Sequence, residues 1–305
     1  MKTKNTILNH SLGGTAFAGA VLLMASSAPA QNLFVSGSSG SIYEFSPGGV
    51  QSTFASNSGA TGLAFNNAGD LFVGNNANGN IYEYTPGGAQ STFATGLPGV
   101  TGLAFNSAGD LFAGIGADGT TIYEYTPGGV RSVFATGLPN VEGLAFNSAG
   151  DLFAAGSSST DTITEITPGG VQSTLPITGL NEPGMIAFDT KGDLFIANNY
   201  AGNVIEYSAG GVQSTFASGS SLGTPYGLAF NNSGILFEGS GSTAVINQFT
   251  PTGVESPFVT GSGTGALGWM AFAPVPEPSV FALLGLGAAG IFTLYHRMRR
   301  KTISI

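Results

Sequence analysis

The chain has no cysteine, which excludes disulfide staples, thiol nucleophiles and thiolate metal sites together. It has only two histidines, His10 and His296, both close to its ends. The middle of the chain therefore has no imidazole for a Ser-His-Asp triad, a general base or a metal ligand. Charge is scarce too, at 8% of 305 residues. Glu and Lys usually build surface helices, and their scarcity beside 49 glycines argues against a helical protein. Between residues 31 and 274 only Arg131 and Lys191 are basic, against sixteen acidic residues, a net charge of −14. Nucleic acid is not an expected partner, because phosphate binding needs clustered Lys and Arg. Cations, basic proteins and neutral glycans remain compatible with that charge.

What the chain does have is apolar surface, 42% hydrophobic residues with 22 Phe, enough to bury a core. It also repeats. Gly62-Leu-Ala-Phe-Asn returns at Gly102, Gly143 and Gly227, with looser copies at Gly184-Met-Ile-Ala-Phe-Asp and Gly268-Trp-Met-Ala-Phe. The aromatic anchors Phe65, Phe105, Phe146, Phe188, Phe230 and Phe272 are 40, 41, 42, 42 and 42 residues apart. A period of about 40–45 residues is that of a four-stranded propeller blade. In the unit at Gly62 the strands are expected over 63–66, 70–74, 80–85 and 90–95. Asn67-Ala68-Gly69, residues 75–79 and Pro86-Gly87-Gly88 form the turns. The N-terminal unit lacks a first strand, and Trp269 to Pro274 is a first strand without followers. Together they complete one blade, which predicts an all-β, six-bladed propeller closed by both ends of the domain.

The unit P-x-G-[LM]-x-F-[ND]-x-x-G-[ND]-L-F, clearest from Pro183 through Gly192-Asp193-Leu194-Phe195 to Asn198 and Ile205, resembles the NHL repeat. It is also similar to the strictosidine synthase and gluconolactonase (SMP-30-like) propellers. Such repeats report fold better than function.

The ends read as addresses rather than as structure. Residues 1–30 combine Lys2 and Lys4, an apolar stretch around Ala16 to Met24 and Ala28-Pro29-Ala30, the pattern of a cleaved secretory signal. An uncleaved N-terminal anchor is the other reading. Residues 275–305 hold Pro276-Glu277-Pro278, an uncharged run over 280–295 expected as a hydrophobic helix, and a basic end from His296 to Lys301. This order resembles the PEP-CTERM sorting signal read by exosortases; an ordinary tail anchor is the alternative, although 16 residues is short for a full span. The resemblance implies an exosortase-type processing enzyme, passage across the inner membrane, transient anchoring there, and a final place at the cell surface or outside the cell. It also implies exopolysaccharide or a surface protein as partner. The domains expected are thus 1–30 signal, 31–274 propeller and 275–305 sorting tail.

Residues repeated in every blade are expected to determine the fold. Asp70, Asp110, Asp151 and Asp193 read as turn acids. Glu44, Glu83, Glu124, Glu165 and Glu206 sit in the third strand and read as solvated outer-blade positions or as partners of Ser and Thr in the fourth strand. Function is expected where blades differ, in the segments just before the first strands, at the mouth of the channel. Glu142, Glu182, Tyr226 and Trp269 are the candidates there, a polar and aromatic rim suited to a sugar, a cation or a peptide. The second-turn loops add Asn75, Asn76, Asp118, Asp161, Asn198, Asn199 and Tyr200. Trp269 as a mere plug of the closing blade, and Glu142 as ordinary surface, are the structural alternatives.

These residues favour a non-catalytic binding or scaffold module with no cofactor. The alternative is a metal-assisted hydrolase or lactonase of the SMP-30-like type, in which Glu142, Glu182 and Asn140 would face a divalent cation such as calcium. A virginiamycin-lyase-like activity would lack its histidine.

Overall fold

The structure is a computed structural model and describes residues 30–116, 119–261 and 265–275. The chain enters through β1 (Leu33–Gly37), β2 (Ser41–Phe45) and β3 (Gln51–Ser56). Blade I follows with β4 (Ala60–Phe65), β5 (Leu71–Asn75), β6 (Asn80–Tyr84) and β7 (Gln90–Ala94). Blade II has β8 (Val100–Phe105), β9 (Leu111–Ile115), β10 (Thr121–Tyr125) and β11 (Arg131–Thr136). Blade III has β12 (Val141–Phe146), β13 (Leu152–Gly156), β14 (Thr162–Ile166) and a short β15 (Gln172–Thr174). Blade IV has β16 (Pro183–Phe188), β17 (Leu194–Asn198), β18 (Asn203–Tyr207) and β19 (Gln213–Ser218). Blade V has β20 (Pro225–Phe230), β21 (Leu236–Ser240), β22 (Ile246–Phe249) and β23 (Glu255–Val259). Finally β24 (Leu267–Phe272) pairs antiparallel with β1, Leu33 opposite Phe272, so the sixth sheet runs β24-β1-β2-β3. This is the expected six-bladed, all-β propeller.

Burial explains the strand sequences. The second strand of each blade is buried along its whole length, so Leu-Phe-x-x reads as a continuous apolar run rather than an alternating one. The fourth strand is the outer edge and carries exposed Gln, Ser and Thr instead. Ser91, Ser132, Ser173 and Ser214 donate there to Glu83, Glu124, Glu165 and Glu206 at 3.3–3.4 Å, so these four third-strand acids accept from the fourth strand, whereas Glu44 accepts from Asn32. Phenylalanine holds neighbouring blades together. Phe72 meets Phe93 of its own blade and Phe105 of the next, each edge-to-face with centroids 5.0 Å apart. Phe112 and Phe195 repeat this arrangement in blades II and IV. Each such pair is worth about 0.5–1.5 kcal/mol beyond its buried area.

The first turn is organised by its leading Asn. Asn66 Oδ1 accepts from the N–H groups of Ala68 and Asp70, and its Nδ2 donates to Asp70 Oδ2 at 3.0 Å, while Gly69 takes φ +88°. The turn acid therefore partners the Asn side chain, and the Asn satisfies the backbone. In blade IV the leading residue is Asp189, and Asp193 turns to the Ala209 N–H instead.

Two expectations change. The first strands begin one or two residues before the motif glycine, at Ala60, Val100, Val141, Pro183, Pro225 and Leu267. A register shift, such as that between Ala60 and Leu63, carries the strand past its glycine and hides the start from period counting. The predicted channel-mouth segments are therefore the upper ends of the innermost strands rather than loops. The signal region, the sorting motif Pro276-Glu277-Pro278, the 280–295 helix and Asp118 lie outside the described residues. Among the described residues, no helix is long and apolar enough to cross a membrane.

Candidate functional site at the channel mouth

The innermost strands set the site. At the third position of most of them stands glycine, because neighbouring blades meet there. A Cβ on Gly62 would lie 2.0 Å from the Thr101 carbonyl, and one on Gly227 would lie 2.4 Å from that of Gly268. Two blades depart from this rule, with Met185 and Trp269 at the equivalent position. Their side chains cross the axis. Trp269 Nε1 donates to the Glu142 carbonyl on the opposite blade at 3.1 Å. The Met270 N–H, two blades from β16, lies 3.4 Å from Met185 Sδ.

One position earlier, the residues are Thr61, Thr101, Glu142, Gly184, Tyr226 and Gly268. Thr61 Oγ1 donates to the Val100 carbonyl at 2.7 Å, and Thr101 to that of Val141, each reaching the next blade. Glu142 and Tyr226 instead reach into the ring. The Tyr226 hydroxyl donates to Glu142 Oε2 at 2.7 Å, and its ring stands edge-on to Trp269, centroids 5.0 Å apart at 80°. Gly184 leaves the room, since a Cβ there would meet Tyr226 Cδ2 at 3.2 Å. Glu142, Tyr226 and Trp269 thus meet in one contact set. A mouth of about 220 Å³ opens beside them, walled in part by Ser36, Ser38, Ala60 and Gly241.

Burial of the Glu142 carboxyl raises it above the usual carboxylate range. Hydrogen bonds from Tyr226 and Ser157 oppose that shift, and the charge of Glu182 adds to it. Tyr226 is pushed well above the usual phenol range by burial first and by the charges of Glu142 and Glu182 after it.

Glu182 stands just before β16, exposed, at φ +49°, the one non-glycine residue with positive φ among those described. Asp161 Oδ2 accepts its N–H at 2.9 Å and holds that turn. Tyr200 sits on the same face, 64% exposed, and its N–H donates to the carbonyl of Asn181. It borders the rim without entering the Glu142–Tyr226–Trp269 contact set. Asn75 and Asn198 are not rim ligands. Both are buried, and they bond loop backbone, Asn75 to the Ser58 carbonyl at 3.0 Å and Asn198 to that of Gly179 at 2.9 Å.

The sequence reading missed Glu238. It is 0% exposed, accepts from Asn247 Nδ2 at 3.0 Å and leaves Oε1 without a partner. Desolvation lifts its pKa to about 8. The signal was available, because the aligned residues of the other blades are Val35, Val73, Ala113, Ala154 and Ile196.

A divalent cation does not fit these residues. Glu142 spends its carboxyl on Tyr226 and Ser157, and no three acidic or imidazole side chains gather to hold an ion among the described residues.

Residues 274–300 match the PEP-CTERM protein-sorting motif, a signal that implies export and membrane-anchored processing. Among curated proteins none matches the sequence. The fold is similar to a chain of a nidogen/laminin complex, with TM-score 0.72 at 16% identity over 80% of this chain and 98% of that one. It is also similar to the virginiamycin B lyase of Staphylococcus aureus (TM-score 0.59, 16% identity, 69% and 73% covered). The gluconolactonase of Xanthomonas campestris is a comparable neighbour (0.59, 15%, 69% and 78%). At these identities the likeness is one of fold.

Proposed function

We propose that this chain is an exported propeller that serves as a non-catalytic binding or scaffold module at the cell surface or in the extracellular matrix. On this reading residues 1–30 are removed, residues 31–274 are the working domain, and residues 275–305 hold the chain in the inner membrane until an exosortase-type enzyme processes it near Pro276-Glu277-Pro278. The observation that carries the non-catalytic reading is the crossing of the channel by Trp269, bonded to the Glu142 carbonyl on the facing blade. Lactonase-like chemistry would need an open axial pocket with converging ligands, and here aromatic and thioether side chains occupy the axis. Lyase-like chemistry fares no better. A histidine-to-alanine variant of the Staphylococcus aureus enzyme is catalytically inactive, and residues 31–274 of this chain have no histidine.

Exopolysaccharide or a surface protein is the partner that this setting favours. Glu142, Glu182, Tyr226 and Trp269, with Tyr200 at the border, form the recognition surface, since aromatic faces beside carboxyl groups suit sugars. The test is intact mass on protein recovered from its host, cell-bound and from the medium, with Pro276→Ala alongside. A species running from Gln31 to near Pro276, lost in the variant, is the expected outcome. A chain reaching Ile305 in both would remove the processing step from this account.

A further inference from the structure

Both ends of the propeller leave from one face. In blades I to V the first strand passes into the second through a short turn, closed by bonds such as Asn66 N–H to the Asp70 carbonyl at 3.0 Å. In the sixth blade the chain ends take that place, and the Ala273 N–H donates to the Asn32 carbonyl, also at 3.0 Å. Residues 273–275 therefore continue β24 out of the face formed by the first and third turns. Glu142, Tyr226 and the loop of Tyr200 belong to the opposite face, where the first strands start and the second turns lie.

β24 is also the innermost strand of its sheet, so the exit is near the centre of the disc. From Phe272 to Ser279 there are only seven residues before the uncharged run of 280–295. At most about 3.3–3.6 Å per residue, they span roughly 25 Å. Turning the rim towards a bilayer would demand much more. The tail would have to run outward past three further strands, about 15 Å at 4.8 Å spacing. It would then have to climb the blade edge, another ~20 Å for a six-residue strand. The tether is too short for that path, and three of its seven residues are proline, whose ring fixes φ.

We infer that in the membrane-held chain the face of first and third turns is opposed to the bilayer and the Glu142–Tyr226–Trp269 rim points away from it. This rests on the reading of 280–295 as the membrane-held segment. The lipid surface is then the neighbour of the turn face. The rim is open to a polymer or protein approaching from outside, and a ligand can be bound before the tail is processed.

The absence of cysteine makes the test direct. Single cysteines replace exposed residues on the turn face (Ala68→Cys, Ala149→Cys) and on the rim face (Ala77→Cys, Ser159→Cys). Each full-length chain is labelled with a donor dye and reconstituted into phosphatidylcholine vesicles containing acceptor-labelled lipid. Energy transfer from both turn-face sites should exceed that from both rim sites, and the difference should vanish in detergent. Equal transfer from all four sites, or stronger transfer from the rim, with the protein still co-floating with vesicles, would overturn the orientation. Protein that fails to co-float, with no transfer from any site, would instead remove the membrane-held reading beneath it.

Discussion

Glu238 shows what one substitution in a repeat can do to a core. Its side chain occupies an inter-blade position that the other blades fill with Val, Ala or Ile, and only Asn247 answers it. Its pKa in the folded chain is about 8, above the ordinary Glu value, so the folded state holds the proton more tightly than the unfolded state. The contribution of this carboxyl to stability is therefore fully present below about pH 4.5 and is lost as pH rises towards 8, by a few kcal/mol at about 1.4 kcal/mol per pH unit. Glu238→Gln keeps the shape and the Asn247 contact while removing the titration. It should melt several degrees above the parent at pH 8 and close to it at pH 4, as followed by circular dichroism; equal melting at both values would contradict the buried proton. Glu142 offers an optical counterpart, because the sole tryptophan is hydrogen-bonded to its carbonyl. Trp269 emission should titrate with a midpoint above the ordinary Glu range, and Glu142→Gln should abolish that transition. Its persistence in the variant would assign it to another group.

At the scale of elements, the sequence disclosed whatever recurs. The spacing of Phe65, Phe105, Phe146, Phe188, Phe230 and Phe272 foretold the innermost strands because each packs on the second-strand Phe of the preceding blade, a contact every blade must make. The Ser–Glu pairs of the outer strands were legible for the same reason. Strand starts were not, because the bulge before each glycine follows from the close approach of neighbouring blades and leaves no turn signature. Asn75 and Asn198 were expected at the rim by their place in the second-turn loops. They are buried instead, because a loop with so many backbone groups needs amide side chains to satisfy them. That Glu142, Tyr226 and Trp269 share one end of the innermost strands was legible in the register of the repeat. The crossing of the axis was not, since it depends on Met185 and Trp269 standing where glycines keep the other strands close.

For the whole molecule, the break in the ring is a matter of connection rather than of packing. The chain ends occupy the site of a turn, with the same backbone bond the other blades make there, and Gln31 ties them further. Its Nε2 donates to the Ala273 carbonyl at 2.7 Å, and its Oε1 accepts from the Asn232 N–H at 2.7 Å. Loop-closure entropy changes slowly with length, so closing one turn and opening another should leave stability nearly unchanged. A permuted domain that joins Phe272 to Leu33 through the Asn66–Asp70 turn sequence, and opens between Ser107 and Ala108, should therefore fold with an unchanged far-ultraviolet spectrum. Its urea midpoint should shift little and its transition should stay cooperative. Deleting Leu267–Phe272 is the contrasting variant. It exposes β1 as an edge, removes Trp269 from the axis and takes Met270 out of the core, so the transition should broaden and its midpoint fall steeply. If instead the permuted chain loses cooperativity while the deletion keeps it, the stability of the ring lies in chain order, and the closing strand is dispensable.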